Sequence, residues 1–445
     1  MKKKNRLIFK QYKNASMKLI KKSSRLIKNW QSTLKSWRYK MLPSRRFKEF
    51  KDNHLKSKLF KISDILIKVK NPVSVKTDEQ YREIGIRSHG KGIFYKEPVL
   101  GKELGNKSVF WLEPNCLILN IVFAWEGAVA CTTEMEKGYI ASHRFPMYKP
   151  IPELVNINYI TLFFKTNKGK YLLGLASPGG AGRNKTLGQK EFERLEINIP
   201  PLEEQQKVAT FFSLFDSRIE KQQDKVEALQ LYKKEMVRKI FSLELRFKDD
   251  EGNNFPDWKE YRLSEVLNER KEKCQDRSLE VHSVAVRAGV VNQIEHLGRV
   301  FAAKDISKYK VVKLGDIIYT KSPTGEFPYG IVKQSQLNKD VIVSPLYGVY
   351  EPLNYHLGYL LHSYFSFPIN LNNYLHSIVN KGAKNTININ NKTFVSKSLF
   401  LPSATEEQQK ISNFFLRIDE KIKREEEKLV LLKKQKQGLL QEMFI

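Results

Sequence analysis

The sequence predicts an α+β protein with two tandem, pseudo-repeated globular domains, each followed by a long helix, and the two helices pair as an antiparallel coiled coil. The string Glu-Glu-Gln-Gln-Lys at 203–207 returns at 406–410, each time opening a long segment with helical spacing of apolar residues. About 150 residues with strand-like runs precede each of these segments, enough for one domain. Solenoid repeats have periods of about 20–50 residues, so this much longer period indicates a duplicated module.

The repeat also indicates where each domain begins and ends. Arg46-Phe47-Lys48 returns as Arg246-Phe247-Lys248, so each copy opens on this string and closes on a long helix. Residues 248–258 are rich in Asp, Gly, Asn and Pro, which is typical of a connector with turns. The predicted divisions are a basic N-terminal extension at 1–45, globular domains at 46–201 and 246–404, and helices at 202–245 and 405–445.

Each globular stretch contains short runs that are typical of strands, with Gly and Pro between them. Runs rich in β-branched and aromatic residues lie at 120–124, 158–164, 316–319 and 341–343. Such runs favour strands, and the helical patches between them favour a mixed arrangement of helices and strands in each domain.

The two long helices share one seam of residues spaced alternately by four and three. Eight of the ten seam positions are apolar in each copy, a coiled-coil pattern. Polar residues interrupt the seam at equivalent places, Gln222 and Lys233 in one copy and Glu425 and Lys436 in the other. The residues expected to pair the helices are Phe212, Phe215, Ile219, Val226, Leu229, Phe415, Ile418, Ile422, Leu429 and Leu432.

This pairing predicts a spacer of defined length. A helix of about 40 residues is a rod of roughly 60 Å at ~1.5 Å per residue, compared with ~34 Å for one turn of duplex DNA. The alternative is that each helix packs only on its own globular domain.

The charge of the chain points to a polyanionic partner. The net charge is +30, and residues 1–48 hold 17 Lys and Arg with no acidic residue. The remaining 397 residues therefore still carry about +13. Nucleic acid is the favoured partner, an anionic membrane surface is less favoured, and solubility alone is the plain alternative.

The composition favours a cytoplasmic protein. No run of about 18 apolar residues is present for a membrane span, and the basic N-terminus lacks the apolar core of a secretory signal. The three cysteines, Cys116, Cys131 and Cys274, lack metal-ligand spacing and are expected to be free thiols in a reducing compartment.

No motif for catalysis is complete. Residues 177–186 are rich in Gly and contain Lys185-Thr186, but they lack the Gly that a phosphate-binding loop requires before its Lys. The histidines, including His89 and His143, form no His-Glu-x-x-His motif. No Asn-Pro-Pro-aromatic string of an amino-methyltransferase is present. We expect no catalytic residue and no metal site in this chain.

Basic and polar residues in Gly-rich loops are the candidates for nucleic-acid contact. Small residues let the backbone approach a phosphate, while Arg and Asn recognise guanine and adenine edges in the major groove. An ordinary exposed charge is the alternative for each residue. The candidates are Arg87, His89, Lys91, Arg183, Asn184 and Lys185 in the first copy, and Arg287, Lys321, Thr324, Lys384 and Asn385 in the second.

Together these motifs resemble the specificity subunit of type I restriction-modification systems. Residues 199–208 and 401–411 are similar to that family's Leu-Pro-Pro…Glu-Gln-Gln-Lys-Ile signature, and residues 244–258 are similar to its join between two halves. The resemblance covers about residues 46–445. Residues 403–405 stand where the first copy has only Pro201-Leu202, a departure of one residue.

The resemblance implies a non-catalytic DNA-binding subunit in host defence. Each target-recognition domain is expected to recognise one half of a split double-stranded DNA sequence, while the helices fix the gap and dock two methylation subunits. A restriction subunit can join the assembly. No cofactor is expected in this chain, whereas S-adenosylmethionine, and ATP with Mg, are expected on the partner subunits. The alternatives are a protein-only coiled-coil scaffold and a stand-alone DNA-modifying enzyme, the latter lacking a motif.

The extension at 1–45 stands outside the repeat. Lys and Arg surround one helical stripe of apolar residues, which predicts a basic amphipathic helix. The stripe consists of Ile20, Ile27, Trp30, Leu34, Trp37 and Met41. Auxiliary contact with DNA or another subunit is the favoured role, and a start codon placed too far upstream is the alternative.

Overall fold

The structure, a computed structural model, describes residues 45–51, 57–179, 185–276, 278–297, 305–381 and 387–444. It divides into two compact units, Met1–Glu220 with Val430–Ile445 (unit 1) and Lys221–Leu429 (unit 2). Each unit combines a mixed globular part with segments of both long helices. The predicted basic extension at 1–44 lies outside the described residues.

Unit 1 is built around a four-stranded antiparallel sheet in the order β2-β11-β8-β9. Its strands are β1 (Lys58–Lys61), β2 (Leu66–Val69), β3 (Gln80–Tyr81), β4 (Ile84–Ile86), β5 (Ile93–Tyr95), β6 (Val99–Leu100), β7 (Val109–Trp111), β8 (Leu117–Leu119), β9 (Val129–Cys131), β10 (Ile140–Ser142), β11 (Met147–Pro150) and β12 (Glu196–Ile199). Its short helices are α1 (Lys48–Lys51), α2 (Ile62–Ile65), α3 (Ile157–Lys165), α4 (Asn167–Leu175) and α5 (Gln189–Glu193), with 3-10 turns at Gly101–Leu104, Ala124–Glu126 and Glu134–Glu136. A long helix, α6 (Leu202–Phe241), begins in this unit.

Both faces of this sheet are buried, because alternate side chains of a strand point to opposite faces. Leu117 and Leu119 of β8 pack with Ile160 and Phe164 of α3, whereas Ile118 packs in a second cluster on the other face. Strands β1 and β12 pair as well, which brings the beginning and the end of the globular part together.

Unit 2 repeats this plan, with its four-stranded sheet in the equivalent order β14-β21-β18-β19. Its strands are β13 (Lys259–Arg262), β14 (Leu267–Glu269), β15 (His282–Ala285), β16 (Gly289–Asn292), β17 (Lys310–Val312), β18 (Ile317–Tyr319), β19 (Val332–Gln334), β20 (Val341–Val343), β21 (Gly348–Pro352), β22 (Asn380–Lys381), β23 (Ile387–Asn388) and β24 (Ser398–Leu401). Its short helices are α7 (Leu263–Val266), α8 (Gln293–Leu297), α9 (Tyr355–Phe365), α10 (Pro368–Leu375) and α11 (Asn391–Phe394). The second long helix, α12 (Thr405–Met443), begins in unit 2. Strand β13 pairs with β24 as β1 does with β12.

Two of the four predicted strand runs are not strands. Residues 158–164 lie in helix α3, whose N-cap Asn156 accepts the backbone N–H groups of Asn158 and Tyr159 at 3.0 and 3.1 Å. A helix buried on nearly all sides has the same unbroken apolar run as a buried strand, so the prediction was wrong here. Residues 120–124 form a turn after β8, whereas the runs at 316–319 and 341–343 contain β18 and β20.

In unit 2 the long helices pack as an antiparallel pair. Val237 and Ile240 of α6 cluster with Ile411 and Phe415 near the start of α12, while Gln222 of α6 donates to Glu425 at 2.8 Å. As the residue number increases along α6, the residue number of the contacting position on α12 therefore decreases.

Unit 1 contains the same antiparallel arrangement. Val208 and Phe212 near the start of α6 share a buried cluster with Leu440, Met443 and Phe444 at the end of α12. The predicted fold class is confirmed: two copies of an α+β module with paired antiparallel helices. All ten predicted seam residues are buried or half-buried in their units.

The two lysines that interrupt the seam, Lys233 and Lys436, form matched ion pairs. In unit 2, Lys233 donates to both carboxylate oxygens of Asp419 at 2.7 Å, and Tyr359 donates to the same carboxylate at 2.6 Å. In unit 1, Lys436 pairs with Asp216. Residues 216 and 233 recur 203 positions later as 419 and 436, so the duplication reproduces one contact twice.

The second Glu of the repeated Glu-Glu-Gln-Gln-Lys string is a buried anchor. Glu204 accepts the Nε of Arg46 at 2.7 Å and also pairs with its Nη2. Glu407 accepts Nε and Nη2 of Arg246 at 3.2 and 3.0 Å. Each carboxylate therefore attaches the start of its long helix to the Arg-Phe-Lys string of its own unit.

The first Gln of the string has an equally local partner in each unit. Gln205 donates to the carbonyls of Leu154 and Pro200 at 3.0 and 2.8 Å and accepts the Asn156 N–H at 2.9 Å. Gln408 donates to the carbonyl of Pro402 and accepts from the side chain of Asn354, the N-cap of α9. The repeated string therefore fastens each long helix to its globular part.

Candidate nucleic-acid interface

A β-hairpin presents three of the predicted residues of unit 1. Arg87, His89 and Lys91 lie in the turn between β4 and β5, and all three are exposed. His89 has a φ of 61° and Gly90 a φ of 68°, both in the left-handed region. The two consecutive left-handed residues turn the chain sharply and leave the basic side chains at its tip.

This hairpin is fixed to the turn that connects β8 with β9. The backbone N–H of His89 donates to the Glu126 carbonyl and that of Gly90 to the Gly127 carbonyl, both at 2.9 Å. Ser88 adds a side-chain hydrogen bond of 2.7 Å to the carboxylate of Glu126. The turn of the hairpin is therefore held by backbone contacts, whereas its charged side chains stay available.

Lysines from three segments gather around the same turn. The Nζ of Lys185 lies 5.6 Å from the centre of the Trp125 ring, within the range of a cation–π contact. A Cβ at Gly127 would lie 3.0 Å from the Cε of Lys170, and one at Gly90 3.1 Å from the Cγ of Lys165. Two predicted sites, the hairpin and Lys185, thus meet at one surface.

Lys165 lies at the inner edge of this group. Burial lowers the pKa of Lys165, and the nearby charge of Lys436 lowers it further. The Asp216 carboxylate acts in the opposite direction. This lysine connects the basic surface of unit 1 to the interhelical ion pair of the same unit.

Four predicted residues, Arg183, Asn184, Lys384 and Asn385, lie outside the described residues. Each pair belongs to a segment that ends just before a described part of its unit, at Lys185 and at Ile387 respectively.

In unit 2 the corresponding hairpin carries Arg287. Arg287 is exposed in the turn between β15 and β16, and Gly289, the first residue of β16, has a φ of 71°. The position of Arg287, after the first strand of a hairpin, is the same as that of Arg87.

The other two predicted residues of unit 2 differ in their surroundings. Thr324 is exposed, and its hydroxyl donates to the neighbouring Ser322 carbonyl at 3.2 Å. Lys321 is half-buried with a φ of 57°, and its Nζ donates to the Oδ1 of Asn391 at 2.5 Å. Burial lowers the pKa of Lys321, and the charge of Lys310 lowers it further.

Trp125 and Lys321 both lie in the connection between the third and fourth strands of the four-stranded sheet, β8 to β9 in unit 1 and β18 to β19 in unit 2. The contacts of the two side chains differ: Trp125 contacts Lys185, and Lys321 donates to Asn391. Sequence analysis selected the turn in unit 2 and missed Trp125 and Lys170. The string Phe-Ala-Trp-Glu-Gly at 123–127, aromatic residues beside a Gly, was the available signal.

The titratable groups of the described residues form no metal-binding cluster of three His, Cys, Asp or Glu. Burial raises the pKa of the Cys116 thiol to about 11 and that of Cys131 to about 12. Both thiols are therefore protonated at neutral pH and lack the thiolate that a nucleophile needs. Within the described part of the chain, none of the helices has the length and apolar character to cross a membrane.

The two units are copies of one α+β module, and each presents exposed basic residues from a hairpin turn, Arg87, His89 and Lys91 in unit 1 and Arg287 in unit 2. Both copies match the family model for the type I restriction modification DNA specificity domain, over residues 55–229 and 256–434. The chain therefore belongs to the family of type I restriction-modification specificity subunits, and the predicted resemblance is confirmed.

One specificity subunit and two solved structures are among the proteins to which this chain is similar. The chain is 28% identical over 171 residues to the specificity subunit of the type I restriction enzyme MjaVIII from Methanocaldococcus jannaschii, a match that spans 37% of this chain and 38% of that protein. A crystal structure of a type I S subunit from M. genitalium superposes with a TM-score of 0.54 at 12% identity, covering 91% of this chain and 99% of that one. This likeness supports the fold. The HsdS subunit from Thermoanaerobacter tengcongensis is 16% identical with a TM-score of 0.43, over 87% of this chain and 96% of that one.

Proposed function

We propose that this chain is the non-catalytic subunit that gives a type I restriction-modification complex its specificity for a DNA sequence. The globular part of each unit recognises one half of a split target in double-stranded DNA. Paired helices set the gap and dock two methylation subunits, and restriction subunits can join. S-adenosylmethionine, and ATP with Mg, belong to those partners in this proposal.

One observation carries the proposal: the hairpins that present exposed basic residues differ between the two units. The hairpin of unit 1 carries Arg87, His89 and Lys91, and the hairpin of unit 2 carries Arg287. A scaffold needs no such difference, whereas recognition of two different half-sites requires one, because different base edges need different partners. The contacts that attach the helices, by contrast, are the same in both units.

The basic composition supports a DNA partner over a protein-only scaffold. Arg87, His89 and Lys91 project from one hairpin and Arg287 from its counterpart, all of them exposed. Exposed cations at loop tips bind phosphates and supply the sequence-independent part of DNA affinity. Arg87 and Arg287 are also the residue type that contacts guanine in bidentate fashion.

The test is a selection of randomised duplexes by the chain co-purified with its methylation subunit. The expected result is enrichment of two short conserved blocks separated by a fixed number of unspecified base pairs. Enrichment of a single block, or of none, would refute the proposal. Binding of the methylation subunit without any sequence selection would instead favour the scaffold.

A domain exchange separates the contributions of the two units. Replacing residues 60–199 with the same region of another specificity subunit is expected to change one block and leave the other and the gap unchanged. The matched control replaces residues 261–400, and it is expected to change only the other block. A change in both blocks after either exchange contradicts the modular proposal.

A further inference from the structure

An open pocket in unit 2 is lined by three lysines. It has a volume of about 380 Å³ and is formed by Lys310, Lys321, Pro345, Asn390, Asn391 and Lys392. Strand β17, the turn after β18 and the start of α11 contribute the lysines, so cations distant in sequence converge on one concavity.

The positive charge of this pocket is only partly neutralised. Lys321 donates to the side-chain oxygen of Asn391, and Lys310 donates to the Tyr347 carbonyl at 2.7 Å; both acceptors are neutral. The nearest carboxylate in the network is Glu269, which accepts the side-chain amide of Asn391 at 2.5 Å. Three cations therefore face one carboxylate, and burial lowers the pKa of both Lys310 and Lys321. An ammonium has three donors, so each of these two lysines retains donors for an anion.

The same contacts argue against base recognition in the pocket. An Asn recognises adenine by using its oxygen and its amide together. In Asn391 the oxygen accepts from Lys321 and the amide donates to Glu269, so contacts within the protein hold both ends of this side chain. Lysine is a compact point charge on a flexible stem, and it lacks the planar fork with which Arg selects guanine. The pocket thus offers charge and concavity, and its cations are lysines rather than arginines.

We infer that this pocket is a phosphate clamp, in which Lys310, Lys321 and Lys392 hold phosphodiester groups of the DNA backbone and contribute affinity without sequence preference. The inference rests on the proposed function and deepens it, because it assigns phosphate binding and base recognition to different parts of unit 2. Lys321 contacts the DNA backbone, and the hairpin with the exposed Arg287 remains available for contact with bases.

The first experiment measures affinity against salt for the complex of this chain with its methylation subunit. Fluorescence anisotropy on the selected duplex and on a random duplex, across a series of KCl concentrations, gives the slope of log K against log salt. Each of Lys310→Ala and Lys321→Ala is expected to weaken the binding of both duplexes equally. Each is also expected to reduce the slope by about 1, the value for one lost phosphate contact. Lys310→Arg retains the charge and is expected to restore the slope.

Lys339→Ala is the matched control, because it removes the same charge from unit 2. Its ammonium already pairs with Glu280 at 2.8 Å, so no change in slope is expected. Thermal melting of each variant separates loss of fold from loss of contact.

The second experiment locates the phosphate. A series of duplexes, each with one neutral methylphosphonate linkage, is tested against the wild type and Lys310→Ala. At one or two adjacent positions the neutral linkage is expected to weaken DNA binding by the wild type. At the same positions it is expected to cause no further loss of binding by Lys310→Ala. Independent, additive losses at every position would overturn the clamp.

The outcomes distinguish the inference from the proposed function. If the complex selects no split sequence, the proposed function fails. If it selects one, but Lys321→Ala relaxes the preference at a base pair without a change in slope, the pocket recognises a base and the inference fails. An unchanged slope for Lys310→Ala and Lys321→Ala overturns it as well.

Discussion

The ion pair between Arg246 and Glu407 predicts an asymmetric response to mutation. Glu407 is fully buried, and in the described residues its carboxylate accepts only from Arg246, at 3.2 and 3.0 Å. The Arg246 side chain keeps 23% of its surface exposed and also donates to the carbonyls of Phe255 and Pro256. Loss of the arginine therefore leaves the buried carboxylate charge without its partner, whereas loss of the carboxylate leaves a guanidinium that still donates to two carbonyls.

The magnitudes follow from this difference. Arg246→Met is expected to destabilise unit 2 by about 3–5 kcal/mol, the usual cost of leaving one member of a buried pair alone. Glu407→Gln keeps the shape and one acceptor oxygen, so a loss of about 1–2 kcal/mol is expected. The double variant Arg246→Met with Glu407→Met is expected to be more stable than Arg246→Met alone, because no unpaired charge remains.

Hydrogen exchange with mass spectrometry is the appropriate assay, since a chain with two units need not unfold in one step. Peptides from the start of α12 report the free energy of local opening, and peptides from unit 1 serve as the internal reference. Arg46→Met is the matched variant, because it breaks the equivalent pair with Glu204 and should act on the start of α6 instead. Equal losses for Arg246→Met and Glu407→Gln, or a double variant no better than Arg246→Met, would refute the reasoning.

Three further predictions concern a buried lysine, the length of the helices and the two hairpins. Burial, and then the charge of Lys233, lowers the pKa of Lys333 from 10.5 to about 8. Lys333→Met should therefore stabilise unit 2 at pH 7 by roughly 3 kcal/mol, at 1.36 kcal/mol per pKa unit. As the pH rises, the folded state releases this proton at a lower pH than the unfolded state, so the stability of the wild type increases between about pH 8 and 10.5. In denaturant titrations, the stability advantage of Lys333→Met should therefore decrease over that pH range. A gain that does not change with pH would contradict this. Inserting one heptad into both long helices keeps the seam and adds about 10 Å at ~1.5 Å per residue. Duplex selection should then show a gap about three base pairs longer, at ~3.4 Å per base pair, with both half-sites intact; an unchanged gap would exclude the spacer role. Arg87→Ala should relax one half-site and Arg287→Ala the other by about 1–3 kcal/mol at single positions, and relaxation of both halves by either variant would argue against one unit per half-site.

The sequence was sufficient wherever a pattern is local or repeats. The duplication, the seam positions and the family signature are properties of residue order, and the helical seam has a period that side chains at 3.6 residues per turn must obey. The loop positions of Arg87 and Arg287 were also predictable, because a Gly near a cation is typical of a loop.

The strand prediction at 158–164 fails for a physical reason. Helix α3 is buried on nearly every side, so its sequence has no polar face to reveal a helical period. The hydrogen bonds of Asn156 settle the conformation, and a single N-cap is a weak signal beside a run of seven residues that are all apolar except Asn158 and Thr161.

Part of the candidate interface was beyond sequence reasoning, because its members meet only through the fold. Trp125 and Lys185 are 60 positions apart, and Lys310, Lys321 and Asn391 come from three separate elements of unit 2. Nothing in their spacing along the chain brings them together, since the order of strands in each sheet does so.

The sequence by itself determined that one module occurs twice, and that each copy ends in a helix with the same seam. Tertiary structure decided what the repeated residues do. Glu204 and Glu407 belong to a charged string that would be expected to lie on the surface. Each is instead buried against an arginine about 160 positions away. Charge patterns along a chain do not show which carboxylate is desolvated, because desolvation depends on the packing of distant segments.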